Sequence, residues 1–208
     1  MVFTRLFDWL SEVLGFRKNI TLGIYGEVNV GKTTLANKIS MDWTGEQVGK
    51  VSRIPHETRT VQQKEKIVIP LKGRRKIVMN LLDMPGLATK VDYKNFMKYK
   101  MKRKDAKKRA KEATAGVIEA IKWLDNVDTV LAVMDSTKDP YTQVNLTLLG
   151  NLEAKGIPVI IVANKTDLKR ANVKRIKSAF PEYPVVSISA LKGKGIDNLY
   201  EAIGKHGK

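Results

Sequence analysis

Residues 26–33 read GEVNVGKT, which matches the pattern G-x-x-x-x-G-K-[ST] of a phosphate-binding loop. The strand-length apolar run ITLGIY precedes it at residues 20–25, and the helical stretch TLANKIS follows from residue 34. The glycines let the backbone curl so that N–H groups point at phosphate oxygens, and the helix N-terminus adds partial positive charge. In such a loop Lys32 reaches the β- and γ-phosphates and the Thr33 hydroxyl binds Mg²⁺. By itself the motif predicts only that the protein binds a nucleoside triphosphate, without identifying the base.

A second motif, DMPG at residues 83–86, follows the apolar run KIVMNLL. Its position places Asp83 at the end of a predicted strand, where the carboxylate can hold Mg²⁺ through water. The backbone N–H of Gly86 would then face the γ-phosphate. The motif therefore predicts the metal-binding side of the nucleotide site.

Two further motifs concern the base. NKTD at residues 164–167 follows the predicted strand PVIIVA, and a carboxylate at Asp167 can accept hydrogen bonds from N1–H and N2–H₂ of guanine. Adenine lacks both donors, so Asp167 argues against the alternative of an ATPase or kinase. After the predicted strand PVVSI, a backbone N–H can donate to guanine O6 from Ser189, Ala190 or Leu191. All these motifs lie in order at carboxyl ends of strands, which makes the combination highly specific.

The composition limits the other classes of function. The chain has 208 residues, 38 Lys+Arg against 21 Asp+Glu, a net charge of +17 and a pI of about 9.9. This balance predicts a polyanionic partner, either nucleic acid or an anionic membrane surface, although Lys-rich heat-adapted proteins share it. The sequence has no cysteine, which excludes a disulfide scaffold, a thiol nucleophile and a Cys-ligated metal centre.

The excess charge is concentrated at residues 98–112, KYKMKRKDAKKRAKE, with nine basic and two acidic residues. Small and apolar residues at helical spacing from Ala106 to Leu124 predict one long helix over residues 102–124 with a basic outer face. We call residues 96–112 the basic insertion. Its candidate polyanion-binding residues are Lys98, Lys100, Lys102, Arg103, Lys104, Lys107, Lys108, Arg109 and Lys111.

Residues 1–18 are predicted to form an amphipathic helix that precedes the main domain at 19–208. Its apolar face comprises Phe3, Leu6, Phe7, Leu10, Val13 and Leu14. This face either packs on its own domain or lies on a membrane surface. Acidic residues interrupt it and no small-residue cleavage site follows, so it is not a secretory signal, and we expect a cytoplasmic protein.

Together these motifs resemble the G domain of GTPases, and within it the Era-like group of translation-associated GTPases, over about residues 19–205. The resemblance implies GTP and GDP as ligands, Mg²⁺ held by Thr33, Asp83 and a switch threonine, and hydrolysis of GTP. In IPHETRT, at residues 54–60, the pair Thr58–Arg59 resembles the family's Thr-Arg, so Thr58 is favoured over Thr60. The candidate nucleotide-binding residues are Gly26, Glu27, Val28, Asn29, Val30, Gly31, Lys32, Thr33, Thr34, Asp83, Gly86, Asn164, Lys165, Asp167, Ser189, Ala190 and Leu191, and the catalytic candidates are Lys32, Thr58, Gly86 and Asn29.

The expected fold is a three-layer α/β domain with six mostly parallel strands and helices on both faces. One antiparallel strand is expected, because residues 60–70 and 75–83 flank a short turn at residues 71–74 and have the pattern of a hairpin. The nucleotide would lie along the carboxyl edge of the strands.

Two departures from the Ras-like pattern bear on turnover. Leu87 stands where Ras-like proteins have the glutamine that orients the attacking water, so slow intrinsic hydrolysis is expected. Several relatives carry an asparagine at the position of Asn29, whose side-chain oxygen helps to hold K⁺. The resemblance therefore implies potassium-stimulated hydrolysis. The alternative is that Asn29 fills a turn that favours asparagine.

Era itself has an RNA-binding domain after its G domain, and this sequence ends at the last predicted helix of the G domain. The basic insertion lies instead in the second switch region, which predicts that nucleotide state controls its contact with a polyanion. The partner hypotheses are ribosomal or other structured RNA, an anionic membrane contacted peripherally, and a GTP-dependent homodimer or protein-docking module.

Overall fold

The computed structural model describes residues 18–52, 54–70 and 76–207. Within these residues six strands form one sheet in the order β2-β3-β1-β4-β5-β6. The strands are β1 (Lys18–Gly26), β2 (Gln62–Pro70), β3 (Lys76–Asp83), β4 (Thr129–Asp135), β5 (Val159–Asn164) and β6 (Val185–Ser187). β2 and β3 are antiparallel and the other pairs are parallel, as the sequence predicts.

The connections between strands carry most of the helices. These are α1 (Lys32–Thr44), α2 (Tyr93–Met97), α3 (Arg103–Lys122), α4 (Gln143–Ala154), α5 (Val173–Ala179) and α6 (Ile196–His206). α3 corresponds to the long helix predicted over residues 102–124, and it ends in a 3₁₀ turn at Trp123–Asn126. Among the described residues, no helix has the length and apolar character needed to cross a bilayer.

Helices cover both faces of the sheet. On one face, Leu35 and Ile39 of α1 and Leu199 of α6 pack against the strands. On the other face, Ala120 of α3 and Leu148 of α4 belong to a second buried cluster. β4 and β5 are buried along their whole length, which explains why their sequences are continuous apolar runs. The result is the three-layer α/β fold expected from the motifs.

Two predicted elements lie outside the described residues. These are the N-terminal amphipathic helix, apart from its last residue at the start of β1, and the hairpin turn at residues 71–74. The strands that flank this turn are paired from Gln62 opposite Asp83 to Pro70 opposite Lys76, with a bulge between Lys64 and Ile67. The pairing places Asp83 at the carboxyl edge of the sheet, where β1, β4 and β5 also end.

Candidate nucleotide-binding site

The predicted phosphate loop connects β1 to α1 and is held in conformations that glycine favours. Gly26 has φ 144°, and a Cβ there would come within 2.3 Å of the carbonyl oxygen of Val133. Gly31 has φ 99° and caps the N-terminus of α1. The backbone N–H of Leu87 donates to the Gly26 carbonyl oxygen at 3.1 Å, which joins the DMPG segment to the loop.

Lys32 lies buried at the centre of this loop, with 6% of the residue exposed. Its Nζ donates to the carbonyl oxygens of Glu27 at 2.7 Å and Gly26 at 3.2 Å. Burial lowers the pKa of Lys32 to about 8, although the charges of Asp83 and Glu27 oppose the shift. A cation buried against neutral carbonyls is stabilised by an anion, so the loop suits a phosphate.

The three predicted Mg²⁺ ligands converge beside this lysine. Thr33 Oγ1 donates to Asp83 Oδ2 at 2.7 Å and lies 3.0 Å from Thr58 Oγ1. Thr58 Oγ1 also lies 3.4 Å from Asp83 Oδ2. Thr58 is buried whereas Thr60 is exposed, so it is Thr58 that faces the site.

Asp83 itself is fully buried, and its Oδ1 has no hydrogen-bond partner. Burial raises the pKa of Asp83, against the hydrogen bonds from Thr33 and Thr58 and the charge of Lys32. One carboxylate with an unused oxygen and two hydroxyls form the sparse oxygen set that Mg²⁺ uses when phosphates complete its shell. The residues present therefore fit Mg²⁺.

Gly86 packs directly against the phosphate loop. A Cβ at this position would lie 3.0 Å from Val28 Cγ2, 3.1 Å from Val28 Cα and 3.5 Å from Lys32 Nζ. Any side chain at this position would have to displace Val28 by a few tenths of an ångström, so glycine suits the close approach of the DMPG segment to the loop. Gly86 therefore lies next to the Lys32 amine, which would hold the terminal phosphate.

The NKTD segment supports the loop from the other side. Asn164 is buried, and its Nδ2 donates to the carbonyl oxygen of Val30 at 2.8 Å while its Oδ1 accepts from the N–H of Ala190 at 3.0 Å. Lys165 Nζ donates to the Asn29 carbonyl oxygen at 2.7 Å and to Asp135 Oδ2 at 2.6 Å. These bonds hold the end of β5 against both the phosphate loop and the segment after β6.

Asp167 lies beside an open cleft of about 360 Å³, a volume that suits a small ligand. The Ser189 hydroxyl donates to Asp167 Oδ1 at 2.6 Å. This hydrogen bond lowers the pKa of Asp167, so the carboxylate is ionised and accepts hydrogen bonds. Leu191, 75% exposed, forms an apolar wall of the cleft, and Thr34 also lines it.

Asn29 is exposed at the turn of the loop and has φ 62°. Asparagine tolerates this left-handed conformation better than most residues, so the loop conformation favours asparagine at this position.

The basic insertion comprises the end of α2, the start of α3 and the chain between them. Its residues Phe96 and Ala106 form a small buried core with Ala113 of α3, and Ile54 from the segment before Thr58 packs against this core. Eight of the nine predicted polyanion-binding residues are exposed, namely Lys98, Lys100, Lys102, Arg103, Lys104, Lys107, Lys108 and Lys111.

Arg109, the ninth, differs from its neighbours because it turns inward. Its Nη2 donates to Glu57 Oε2 at 2.6 Å, its guanidinium lies 5.8 Å from the Phe96 ring centroid, and its side chain is 14% exposed. A second ion pair joins Arg59 Nη1 to Glu112 Oε2 at 2.5 Å. Arg109 therefore ties α3 to the switch segment around Thr58 rather than extending the basic face.

His56 is a further residue that the motifs do not identify. It is 7% exposed, has φ 53°, and its ring centroid lies 6.1 Å from that of Phe96. Burial, with the charges of Lys32 and Arg109, lowers its pKa to about 4. An isolated polar residue in a loop has no periodicity, so sequence patterning could not predict its burial.

With this geometry established, comparison with known proteins identifies the family. The model of the family described as "50S ribosome-binding GTPase" matches residues 21–165. The chain belongs to this family. A curated relative, the tRNA modification GTPase MnmE of Heliobacterium modesticaldum, is 31% identical over 182 residues, which cover 86% of this chain and 32% of the relative. The chain thus spans about a third of the length of the curated relatives it matches.

Two solved structures of Era are also similar to this G domain. A variant of Aquifex aeolicus Era bound to GDP·AlF₄⁻ has a TM-score of 0.69 and 27% identity, covering 92% of this chain and 57% of that one. Era in complex with MgGDPNP and nucleotides 1506–1542 of 16S ribosomal RNA has a TM-score of 0.68 and 26% identity, covering 93% and 58% respectively. The chain therefore contains a P-loop G domain of the Era-like group, as its motifs predict.

Proposed function

We propose that this GTPase is a Mg²⁺-dependent molecular switch that acts on ribosomal or other structured RNA. The main support for a switch function is that Thr33, Thr58 and Asp83 converge beside the buried Lys32. Thr58 belongs to the segment before β2, and its contacts with Thr33 and Asp83 couple that segment to the ligands of the phosphate site. Loss of the terminal phosphate would remove the partner that holds this segment in place.

In the proposed reaction water attacks the γ-phosphate of GTP and yields GDP and phosphate. Lys32 binds phosphate oxygens, and Thr33, Asp83 and Thr58 would hold the metal ion, which offsets negative charge on the β- and γ-phosphates. Asp167 selects guanine. The protein supplies positioning and charge compensation and no covalent nucleophile.

We also propose that K⁺ accelerates this reaction. Asn29 is exposed at the phosphate loop and lines the cavity that contains Lys32 and Gly86. A side-chain amide oxygen is a suitable ligand for a hard monovalent cation beside phosphate. Hydrolysis measured in KCl and in NaCl at equal ionic strength tests this, and equal rates would contradict it.

Support for an RNA partner comes from the exposed basic face of α3 and its connection to the switch. Positive charge on one helix face is the usual footprint of phosphate-backbone binding. The pairs Arg109–Glu57 and Arg59–Glu112 join this helix to the residues on either side of Thr58. Movement of Thr58 would therefore be transmitted to the basic face. The Era complex with 16S ribosomal RNA favours the same class of partner by relationship.

The test is co-sedimentation with ribosomal particles in GDP and in a non-hydrolysable GTP analogue, with anionic vesicles in parallel. The test variant changes Arg103, Lys104, Lys108 and Lys111 to Gln, and the matched control changes four other exposed basic residues, Lys169, Arg170, Lys174 and Lys177. We expect nucleotide-dependent binding to particles that weakens in the test variant alone. The slope of log affinity against log salt should fall by roughly 0.7–0.9 for each phosphate that the variant no longer neutralises.

Two results would contradict the proposed RNA partner. Equal binding in both nucleotide states would remove the switch, and sedimentation with vesicles alone would favour a membrane-surface role. Sedimentation equilibrium of the protein without particles, in both nucleotides, tests the homodimer alternative. In that case self-association would appear only with the GTP analogue.

A further inference from the structure

His56 borders the phosphate site without a role in the motifs described above. It lines the cavity that also contains Lys32, Thr58 and Gly86. It lines a neighbouring cavity with Val28, Asn29 and Ala88 as well. The imidazole therefore lies between the expected site of the terminal phosphate and a second cavity of about 320 Å³.

The ring is buried but its hydrogen bonding is incomplete. His56 is 7% exposed, and its Nδ1 is buried with no hydrogen-bond partner. Buried polar atoms in folded proteins are nearly always paired, since an unpaired one costs about 1–3 kcal/mol. An apolar side chain would fill the same space without that cost. The arrangement is explained if a ligand atom or a bound water completes the bond.

The neighbours of His56 hold the ring in this place. Phe96 is buried and its ring packs against the imidazole at an angle of 54°. The Arg109 guanidinium lies over the same Phe96 ring and donates a hydrogen bond to Glu57. The imidazole is therefore fixed by α2 and α3 rather than free to turn toward solvent.

The protein also lacks a polar side chain at the position where Ras-like proteins have the glutamine that orients the attacking water. Leu87 is 8% exposed and belongs to the buried cluster between the sheet and α3. Its side chain cannot form a hydrogen bond, so another residue must orient water at the γ-phosphate.

We propose that His56 is that catalytic residue and that its Nδ1 hydrogen-bonds and orients the water that attacks GTP. This role rests on the proposed hydrolysis of GTP. The water oxygen forms a bond to the γ-phosphorus, and the bond from that phosphorus to the β–γ bridging oxygen breaks. The electron pair stays on GDP, and the two water protons end on the phosphate product, which then equilibrates with solvent.

Four substitutions separate a hydrogen-bonding role from a packing role. His56→Gly and His56→Asn both tolerate the left-handed backbone at φ 53°, but only asparagine has an amide oxygen near the position of Nδ1. His56→Leu fills the space without any polar atom, and because leucine is strained at this φ its thermal stability is measured together with its rate. His206→Asn, on α6, is the control at the other histidine of the sequence.

The readouts are the single-turnover rate of GTP hydrolysis and the affinity for a fluorescent non-hydrolysable GTP analogue. We expect His56→Gly and His56→Leu to hydrolyse GTP about 10²-fold more slowly, by analogy with loss of one preorganised hydrogen bond. His56→Asn should retain a rate within about tenfold of wild type. Analogue affinity should change by less than about threefold in all variants, because the ground state does not need the oriented water.

A packing role predicts that His56→Asn loses as much rate as His56→Gly, since neither residue fills the space of the imidazole. Equal losses in these two variants, or a wild-type rate in His56→Gly, would overturn the proposal. Parallel losses of rate and analogue affinity would also overturn it, because they would show that His56 only holds the site together. A wild-type protein that binds GTP but never hydrolyses it would instead refute the proposed function, and the role of His56 with it.

Discussion

Gly116 is where the backbone of α3 approaches the backbone of the switch segment closely enough to exclude a side chain, so a methyl group there is a well-defined perturbation. A Cβ at Gly116 would lie 2.5 Å from the carbonyl oxygen of Arg59 and 3.2 Å from Pro85 Cβ. Arg59 follows the Mg²⁺ candidate Thr58, and Pro85 precedes Gly86 in the DMPG segment. Gly116→Ala therefore displaces residues next to Thr58 and Gly86 from a helix that lines neither the phosphate cavity nor the cleft beside Asp167.

The magnitude follows from two opposing effects. In an open helical position, Gly→Ala stabilises a protein by about 0.5–1 kcal/mol. At Gly116 the Arg59 carbonyl oxygen must move by roughly 0.9 Å to reach ordinary contact distance from the new Cβ. Overpacking of this kind costs about 1–3 kcal/mol, so the net effect is a loss of up to about 2 kcal/mol. For a chain of this size, a loss of about 2 kcal/mol lowers the Tm by about 4–8 °C, which is the largest shift expected.

Gly150→Ala is the matched control, since Gly150 lies in α4 and a Cβ there has nothing within 4 Å. We expect it to raise the free energy of unfolding by about 0.5–1 kcal/mol and to leave nucleotide affinity unchanged. Denaturant unfolding and titration with a Mg²⁺-bound GTP analogue measure both quantities. If Gly116→Ala proved as stable as Gly150→Ala and bound the analogue normally, the contact between α3 and the switch would contribute neither to stability nor to nucleotide affinity.

Two further predictions concern charge. The folded pKa of Lys32 is about 8, below its ordinary value of 10.5, so the unfolded chain binds this proton more tightly between those values. The stability of the nucleotide-free protein should therefore be reduced at neutral pH and rise as pH increases from about 8 to 10.5. Denaturant titrations should show that Lys32→Met lacks this rise, and identical slopes would contradict the burial of the amine. For the Arg109–Glu57 pair, burial acts to raise the pKa of Glu57, but the hydrogen bond and charge of Arg109 outweigh it and the pKa is lowered. A double-mutant cycle with Arg109→Ala and Glu57→Gln should give a coupling of about 1 kcal/mol in unfolding measurements, and zero coupling would argue against a link from α3 to the switch.

The motif-bearing parts of the site could be predicted from sequence because their patterns are local. Asp83 and Asn164 each follow a run of apolar residues, and the carboxyl ends of parallel strands meet at one edge of the sheet. The same argument places Asp167 near the cleft. The antiparallel β2–β3 pair was predictable because two strand patterns flank a short turn.

Contacts between distant segments could not be predicted in this way. Arg109 belongs to a run of basic residues, and nothing in its spacing distinguishes it from Lys108 or Lys111. Its pairing with Glu57 depends on how α3 crosses the switch segment, 52 residues away in sequence. The burial of His56 and the close approach at Gly116 arise from the same crossing, which is a property of the tertiary structure.

Nucleotide selectivity of Asp167→Asn tests the central claim, a guanine-nucleotide site, most directly. Isothermal titration with GTP, ATP and xanthosine triphosphate should show that the wild-type protein prefers GTP. In Asp167→Asn, GTP affinity should fall about 10²-fold or more, because the carboxylate that accepts from guanine N1–H and N2–H₂ is replaced by an amide. Xanthosine triphosphate should become the preferred ligand, since its 2-oxo group accepts from that amide. Unchanged GTP affinity in Asp167→Asn would contradict the assignment of this cleft to guanine.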